Sequence, residues 1–193
     1  MDQKTQSVAS LDSSLAGRDF RRILIIKPSA LGDVVHTVPL LVKLRSRFPS
    51  AQIDWMLTPE NADLIRCHPA LSHVVFFQRK RLSGFGINWG AGFSALRLLW
   101  QIYKTRYDLV VDVHGQFRSA LFALASGAPV RMGFDRPMRD LKWKTMPAVA
   151  ESTARGWMGA REGSWMAYTH RMPILTLDVH AVDRYLWVGR FLG

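Results

Sequence analysis

Cysteine is nearly missing from this sequence. Cys67 is the only one among 193 residues, so no disulfide can form within the chain, and a reducing compartment fits. It lies in LIRCHPAL and reads as a small core residue rather than a nucleophile. Long apolar runs are also missing: no stretch reaches the roughly 18 residues of a membrane-spanning helix. The first twenty residues (MDQKTQSVASLDSSLAGRDF) lack the apolar segment of a secretory signal and read as a loose polar tail. A cytoplasmic location is therefore expected, with any membrane contact peripheral. Neither GxGxxG nor GxxxxGK[ST] occurs, which disfavours a conventional dinucleotide dehydrogenase and a P-loop ATPase. HExxH and paired Cys/His spacings are absent, so no metal site is expected. Without zinc-finger spacing or an RNA-recognition pattern of aromatics, nucleic acid is the least favoured partner.

Acidic residues are scarce too. Asp and Glu number 15 against 26 Lys and Arg, a formal net charge of +11 and a pI near 10.5. Such an excess suits an anionic partner (a phosphorylated substrate or an acidic membrane surface), or else is a basic solvated surface. With 48% hydrophobic residues the chain can bury one full α/β core, and a second complete domain would be cramped.

The most informative stretch is Arg22 to Thr37, RILIIKPSALGDVVHT. Ile23 to Ile26 make a short apolar run of the kind buried on both faces of a parallel sheet. Pro28 blocks further ladder pairing, and Ser29 to Gly32 form a tight loop. Asp33 then stands at the start of a helix expected to bury Val34, Val38, Leu41, Leu44 and Phe48. Strands are expected over Ile53–Leu57, Val74–Phe77, Leu109–Val113 and Val130–Phe134. Helices are expected over ENADLIRC, from Phe93 to about Thr105, over FRSALFALASG, and from Leu177 to Leu192, where Gly193 suits a C-cap. The helix from Phe93 carries Phe93, Leu96, Trp100 and Tyr103 on one face. This alternation predicts an α/β fold, a Rossmann-like parallel sheet with helices on both faces and right-handed crossovers. Residues 135 to 175 have poor periodicity and many Trp and Met, including Trp143, Trp157, Trp165, Met158 and Met166. They suit an irregular segment capping the sheet edge, or a flap over a greasy acceptor.

In such folds ligands bind at the carboxyl edge of the sheet. Asp33 is placed there, either as a base that takes a proton from a hydroxyl or as an acid stabilising a helix N-terminus. Lys27, Ser29 and the backbone N–H groups around Gly32 suit phosphate or sugar oxygens, or are simple turn chemistry. His36 lies one turn further along the same helix. Arg79, Lys80 and Arg81 directly follow the third strand, as a phosphate-binding cluster or a solvated charge run. Gln116, Arg118 and Ser119 open the helix after the fourth strand. Asp112 within that strand reads as a satisfied structural acid.

These residues resemble a known family. ILIIKPSALGDVVHTVPLL is similar to the opening of the glycosyltransferases that include the lipopolysaccharide heptosyltransferases, with their strand, [KR]xSxxGD turn and helix. The likeness continues through IDWMLTPENADLI, YDLVVDVHGQFRSALFALASG, VRMGF and HAVDRYLWVGRFLG, covering residues 21 to 193. The heptosyltransferase I type is the nearest likeness.

The resemblance implies the amino-terminal half of a two-domain GT-B fold. Residues 1–20 would be a tail, 21–176 the acceptor-side domain, and 177–193 a linker helix toward a second domain that should follow Gly193. With that domain would go the donor-binding residues, so the chain alone is expected to be inactive. The implied reaction is inverting and needs neither metal nor cofactor. Asp33 would deprotonate an acceptor hydroxyl, which attacks the anomeric carbon of a nucleotide-sugar such as ADP-heptose. Arg79 to Arg81 and Arg118 would meet the phosphates and Kdo carboxylates of an anionic, lipid-linked inner-core acceptor. A single-domain binding module for an anionic glycolipid or nucleotide is the alternative.

Overall fold

The computed structural model of the chain describes residues 15–78, 89–136, 159–174 and 179–193. In chain order the elements are β1 (Arg22–Ile26), α1 (Leu31–Arg47), β2 (Gln52–Leu57), α2 (Pro59–Ile65), β3 (His73–Phe76) and α3 (Trp89–Thr105). They continue with β4 (Leu109–Asp112), α4 (Phe117–Ala125), β5 (Val130–Phe134), a 3₁₀ turn (Ser164–Ala167), β6 (His170–Met172) and α5 (Ala181–Leu192). The six strands form one sheet in the order β3-β2-β1-β4-β5-β6, and every pairing is parallel. This is the expected Rossmann-like architecture. The chain reverses its direction across the sheet after β3, so right-handed crossovers put α1 and α2 on one face and α3 and α4 on the other. Of these elements, the 3₁₀ turn and β6 were not anticipated, because pieces of three or four residues leave almost no periodic signal.

Ile23 to Ile26 in β1 and Leu109 to Val111 in β4 are fully buried, as strands covered on both faces must be. From α1, Val34, Leu40, Leu41 and Leu44 join them, with Phe48 just past the helix and Val38 only partly covered. The central strands meet at the point where strand order reverses. Their carboxyl ends therefore diverge there and leave a crevice.

Three expectations need correction. Leu15 and Phe20 are buried, and Phe20 meets Phe48 edge-on at 5.5 Å between ring centroids. Leu15 and Phe20 thus anchor this segment on the core, while residues 16–19 between them are exposed; residues 1–14 lie outside the described residues. Second, α3 begins at Trp89 rather than Phe93; Phe93, Leu96, Trp100 and Tyr103 share one face as expected, and that face is exposed while Ala95, Leu98 and Ile102 turn inward. Third, Cys67 is exposed and not a core residue. The α5 helix packs back on the domain. Tyr185, Val188, Phe191 and Leu192 are buried, and the helix lies along α1. The approach is close: a Cβ on Gly189 would lie 2.5 Å from Lys43 Cε. The helix ends at Gly193 with φ +86°, the left-handed conformation for which glycine is suited.

Of the Trp- and Met-rich stretch, residues 137–158 lie outside the described residues. Trp165 packs against the core, Met172 is buried and Met166 is exposed.

Candidate active site

The loop after β1 is held by its carbonyl groups. The buried indole of Trp55 donates Nε1–H to the Lys27 carbonyl at 3.3 Å. Pro28 O accepts from Asn61 Nδ2 at 3.0 Å and from Thr58 N at 3.1 Å. With Pro28 unable to extend the ladder, the chain leaves the sheet here and enters α1. Ala30 supplies no side-chain cap for that helix, and Asp33 is the acid of its first turn.

Asp33 is bound on both oxygens. Lys27 Nζ lies 3.0 Å from Oδ2, and the Tyr185 hydroxyl donates to Oδ1 at 3.2 Å. Lys27 is buried, whereas the Asp33 side chain is 37% exposed. Partial burial alone would raise the Asp33 pKa. The Lys27 ammonium, the two hydrogen bonds and the Arg184 guanidinium outweigh it and hold the carboxyl below its ordinary value. The group is ionised at neutral pH. A carboxylate has about four lone-pair directions, so two donors leave capacity for a hydroxyl.

Around this carboxylate opens a cleft of about 480 Å³ at the carboxyl edge of β1 and β4. Among the described residues its lining carries Lys27, Arg161 and Arg184 against one acid, Asp33, together with His36, His114 and His180. The His36 and His180 rings meet edge-on at 5.1 Å, tying α1 to the start of α5. A second, smaller cleft of about 100 Å³ adjoins it, sharing Ser29, His114 and Gln116 and adding Arg118. With more cations than acids, the surface suits phosphate or carboxylate groups.

The opposite wall is built on Asp112. Its carboxylate is wholly buried and accepts from the backbone N–H of His114 (2.9 Å) and Gly115 (3.1 Å) and from the Tyr168 hydroxyl (2.8 Å). Burial raises its pKa, opposed by those hydrogen bonds. Asp112 therefore shapes the turn beneath the cleft. Gly115 takes φ +69°, and its carbonyl accepts from Arg161 N and Ser164 Oγ, which anchors the segment bearing Arg161. Ser119 closes the α4 N-terminus by accepting from Gln116 N at 3.0 Å.

Of the residues singled out from sequence, Lys27, Ser29, Asp33, His36 and Gln116 line the cleft, and Arg118 lines its smaller neighbour. Gly32 is exposed in the first turn of α1 and is not part of the lining. Arg79, Lys80 and Arg81 lie outside the described residues. Sequence reasoning missed the roles of Tyr185, Arg184, Arg161 and His180. Tyr185 sits on an amphipathic helix, and its partner lies 152 residues away. No local pattern signals such a contact.

Comparison with known proteins bears on this cleft. The family model described as glycosyltransferase family 9 (heptosyltransferase) matches residues 95–148. Lipopolysaccharide heptosyltransferase 1 of Pseudomonas aeruginosa is 33% identical over 122 residues, covering 60% of this chain and 32% of that protein. The namesake from Escherichia coli K12 is 28% identical over 165 residues, 84% of this chain and 44% of the relative. The E. coli heptosyltransferase WaaC, solved with ADP-2-deoxy-2-fluoro heptose, superposes with a TM-score of 0.66 at 25% identity over 85% of this chain and 45% of WaaC. The chain resembles the amino-terminal part of a glycosyltransferase family 9 heptosyltransferase. A family 9 structure from Veillonella parvula shares the fold, with a TM-score of 0.63 at 20% identity. The chain spans 32% to 45% of the length of these relatives. Among the described residues no helix is long and apolar enough to cross a membrane, and no group of three or more His, Cys, Asp or Glu is placed to hold a metal.

Proposed function

We propose that this chain is the acceptor-side half of an inverting heptosyltransferase-like enzyme and that Asp33 is its general base. The observation that carries the reading is an ionised, half-exposed carboxylate facing a cationic cleft at the strand-order switch point. In the reaction an acceptor hydroxyl attacks the anomeric carbon of a nucleotide-sugar such as ADP-heptose. The new C–O bond forms as the bond to the β-phosphate breaks, ADP departs with the electron pair, and the hydroxyl proton passes to Asp33. A carboxylate held below its ordinary pKa is a weak base, which fits a late proton transfer. The attacking oxygen becomes strongly acidic only once it bonds to carbon. The proton balance needs neither metal nor cofactor.

Lys27 and Tyr185 set the orientation of Asp33, while Ser29, Gln116 and Arg118 receive the acceptor. Its phosphates and acidic sugars are matched by Arg161 and Arg184, and the same role is assigned to Arg79, Lys80 and Arg81. The donor nucleotide is assigned to a second domain, so turnover requires that half. A lipid-linked acceptor implies peripheral contact with the inner surface of the cytoplasmic membrane.

Calorimetric titration of the chain with Kdo₂-lipid A in detergent, and with lipid A lacking Kdo, tests the acceptor assignment. Binding to the chain alone, weakened by removing the acidic sugars and by added salt, is expected. Equal affinity for both ligands, or no binding to either, contradicts it.

A further inference from the structure

The outer surface of α3 and α4 carries seven of the thirteen large hydrophobic side chains exposed among the described residues. Phe93, Leu96, Trp100 and Tyr103 follow one another at helical spacing, and all stand between 47% and 71% exposed. On α4, Phe117, Leu121 and Leu124 also follow at helical spacing and stand between 44% and 51% exposed. The two helices touch, and the Tyr103 ring comes within 3.5 Å of where a Cβ on Gly127 would sit, so the α3 stripe meets the end of α4. Single exposed apolar residues are ordinary, but seven on adjoining helices make an interaction surface.

Charge selects the partner. Neither α3 (WGAGFSALRLLWQIYKT) nor α4 (FRSALFALA) contains an acid, whereas Arg97, Lys104 and Arg118 are exposed on them and Arg106 follows directly. Lys104 Nζ sits 4.8 Å from the Trp100 ring centroid, and the Arg106 guanidinium 4.6 Å from that of Tyr103. The neighbouring acid Glu162 is engaged with the Phe117 backbone N–H at 3.3 Å. Aromatic rings interleaved with cations, with no carboxylate on the helices, match the interface of an anionic bilayer: rings at headgroup depth and cations on lipid phosphates. A second copy of this chain would bring the same cations against themselves, which disfavours a symmetric dimer.

We infer that the α3–α4 face is the surface by which this protein lies on an anionic lipid bilayer. Its place in the fold gives the contact a purpose, and that step rests on the acceptor reading above. Phe117 and Arg118 open α4 immediately after Gln116, so the apolar stripe starts at the rim of the Asp33 cleft. A headgroup-borne acceptor need leave the bilayer by only a short distance to reach the carboxylate.

Flotation with vesicles of phosphatidylcholine alone, or with roughly 30% phosphatidylglycerol to give a strongly anionic surface, tests the inference. The full chain is compared with Leu96→Ser/Trp100→Ser and with Arg97→Gln/Lys104→Gln. All four side chains are exposed, and thermal melts verify that both variants fold. The chain is expected to float only with the anionic vesicles. Either variant should lose binding at least tenfold, and salt should weaken the wild type. Undiminished flotation of both folded variants overturns the inference. So does a dimer in light scattering that dissociates on Leu96→Ser/Trp100→Ser, since a second copy would then cover the face. Because no acceptor is present, failure of Kdo₂-lipid A binding with intact flotation would sink the acceptor reading and leave this one standing.

Discussion

Replacing Lys27 by Met separates charge from packing in the Asp33 site. Methionine keeps most of the buried stem and removes the ammonium 3.0 Å from Asp33 Oδ2. Breaking a fully buried ion pair costs about 3–5 kcal/mol, and an exposed one less than about 1 kcal/mol. Lys27 is buried but the Asp33 side chain is 37% exposed, so screening by solvent brings the expected loss at pH 7 to about 1–2 kcal/mol. The pH dependence supplies the sign. In the wild type Asp33 has a folded pKa below its ordinary 3.8. Its stabilisation is therefore complete above the unfolded value and lost as pH falls through the folded one. Without Lys27, burial is opposed only by the Tyr185 hydroxyl and the Arg184 guanidinium, and the folded pKa rises. Urea unfolding of both proteins from pH 7 toward about 3.5, near the ordinary Asp value, should show their difference shrinking as the pH falls. A gap unchanged across that range would refute the electrostatic reasoning, because only packing would then have been lost.

Other predictions concern the frame of the site. Ile102→Ala should cost about 2–5 kcal/mol as a core truncation, whereas Leu96→Ala should change stability by less than about 0.5 kcal/mol. Chemical denaturation of the pair checks which face of α3 is inward. Gly133→Ala would drive a Cβ into the Tyr168 ring, which carries the hydroxyl bound to Asp112. A loss of about 1–3 kcal/mol is expected from this overpacking, read as a lower denaturation midpoint.

Much of the fold was legible because its signals are local. The run Ile23 to Ile26, the break at Pro28 and the acid at Asp33 are contiguous, and the structure keeps them as strand, turn and helix start. The direction of α3 was not legible in the same way. Large aromatics at helical spacing outweigh Ala95, Leu98 and Ile102 in any hydrophobicity pattern, yet it is the smaller set that fits against the sheet. Leu15 and Phe20 were hidden in a polar context that offers no periodicity. Within the site, the Lys27–Asp33 pair is six positions apart in sequence and was anticipated as a neighbourhood. The Tyr185 contact and the buried Arg184 depend on α5 folding back along α1, a tertiary event with no local signature.

The central claim is that Asp33 takes the acceptor proton. The most direct test is turnover by a chimera of this chain with the carboxyl-terminal half of the E. coli heptosyltransferase 1, supplied with ADP-heptose and Kdo₂-lipid A. Asp33→Asn keeps the size and polarity of the side chain and removes its basicity. The account predicts kcat lower by about 10²- to 10⁴-fold, with acceptor affinity within about threefold, since Asn still accepts a hydroxyl hydrogen bond. An active chimera whose kcat is unchanged by Asp33→Asn would contradict the account.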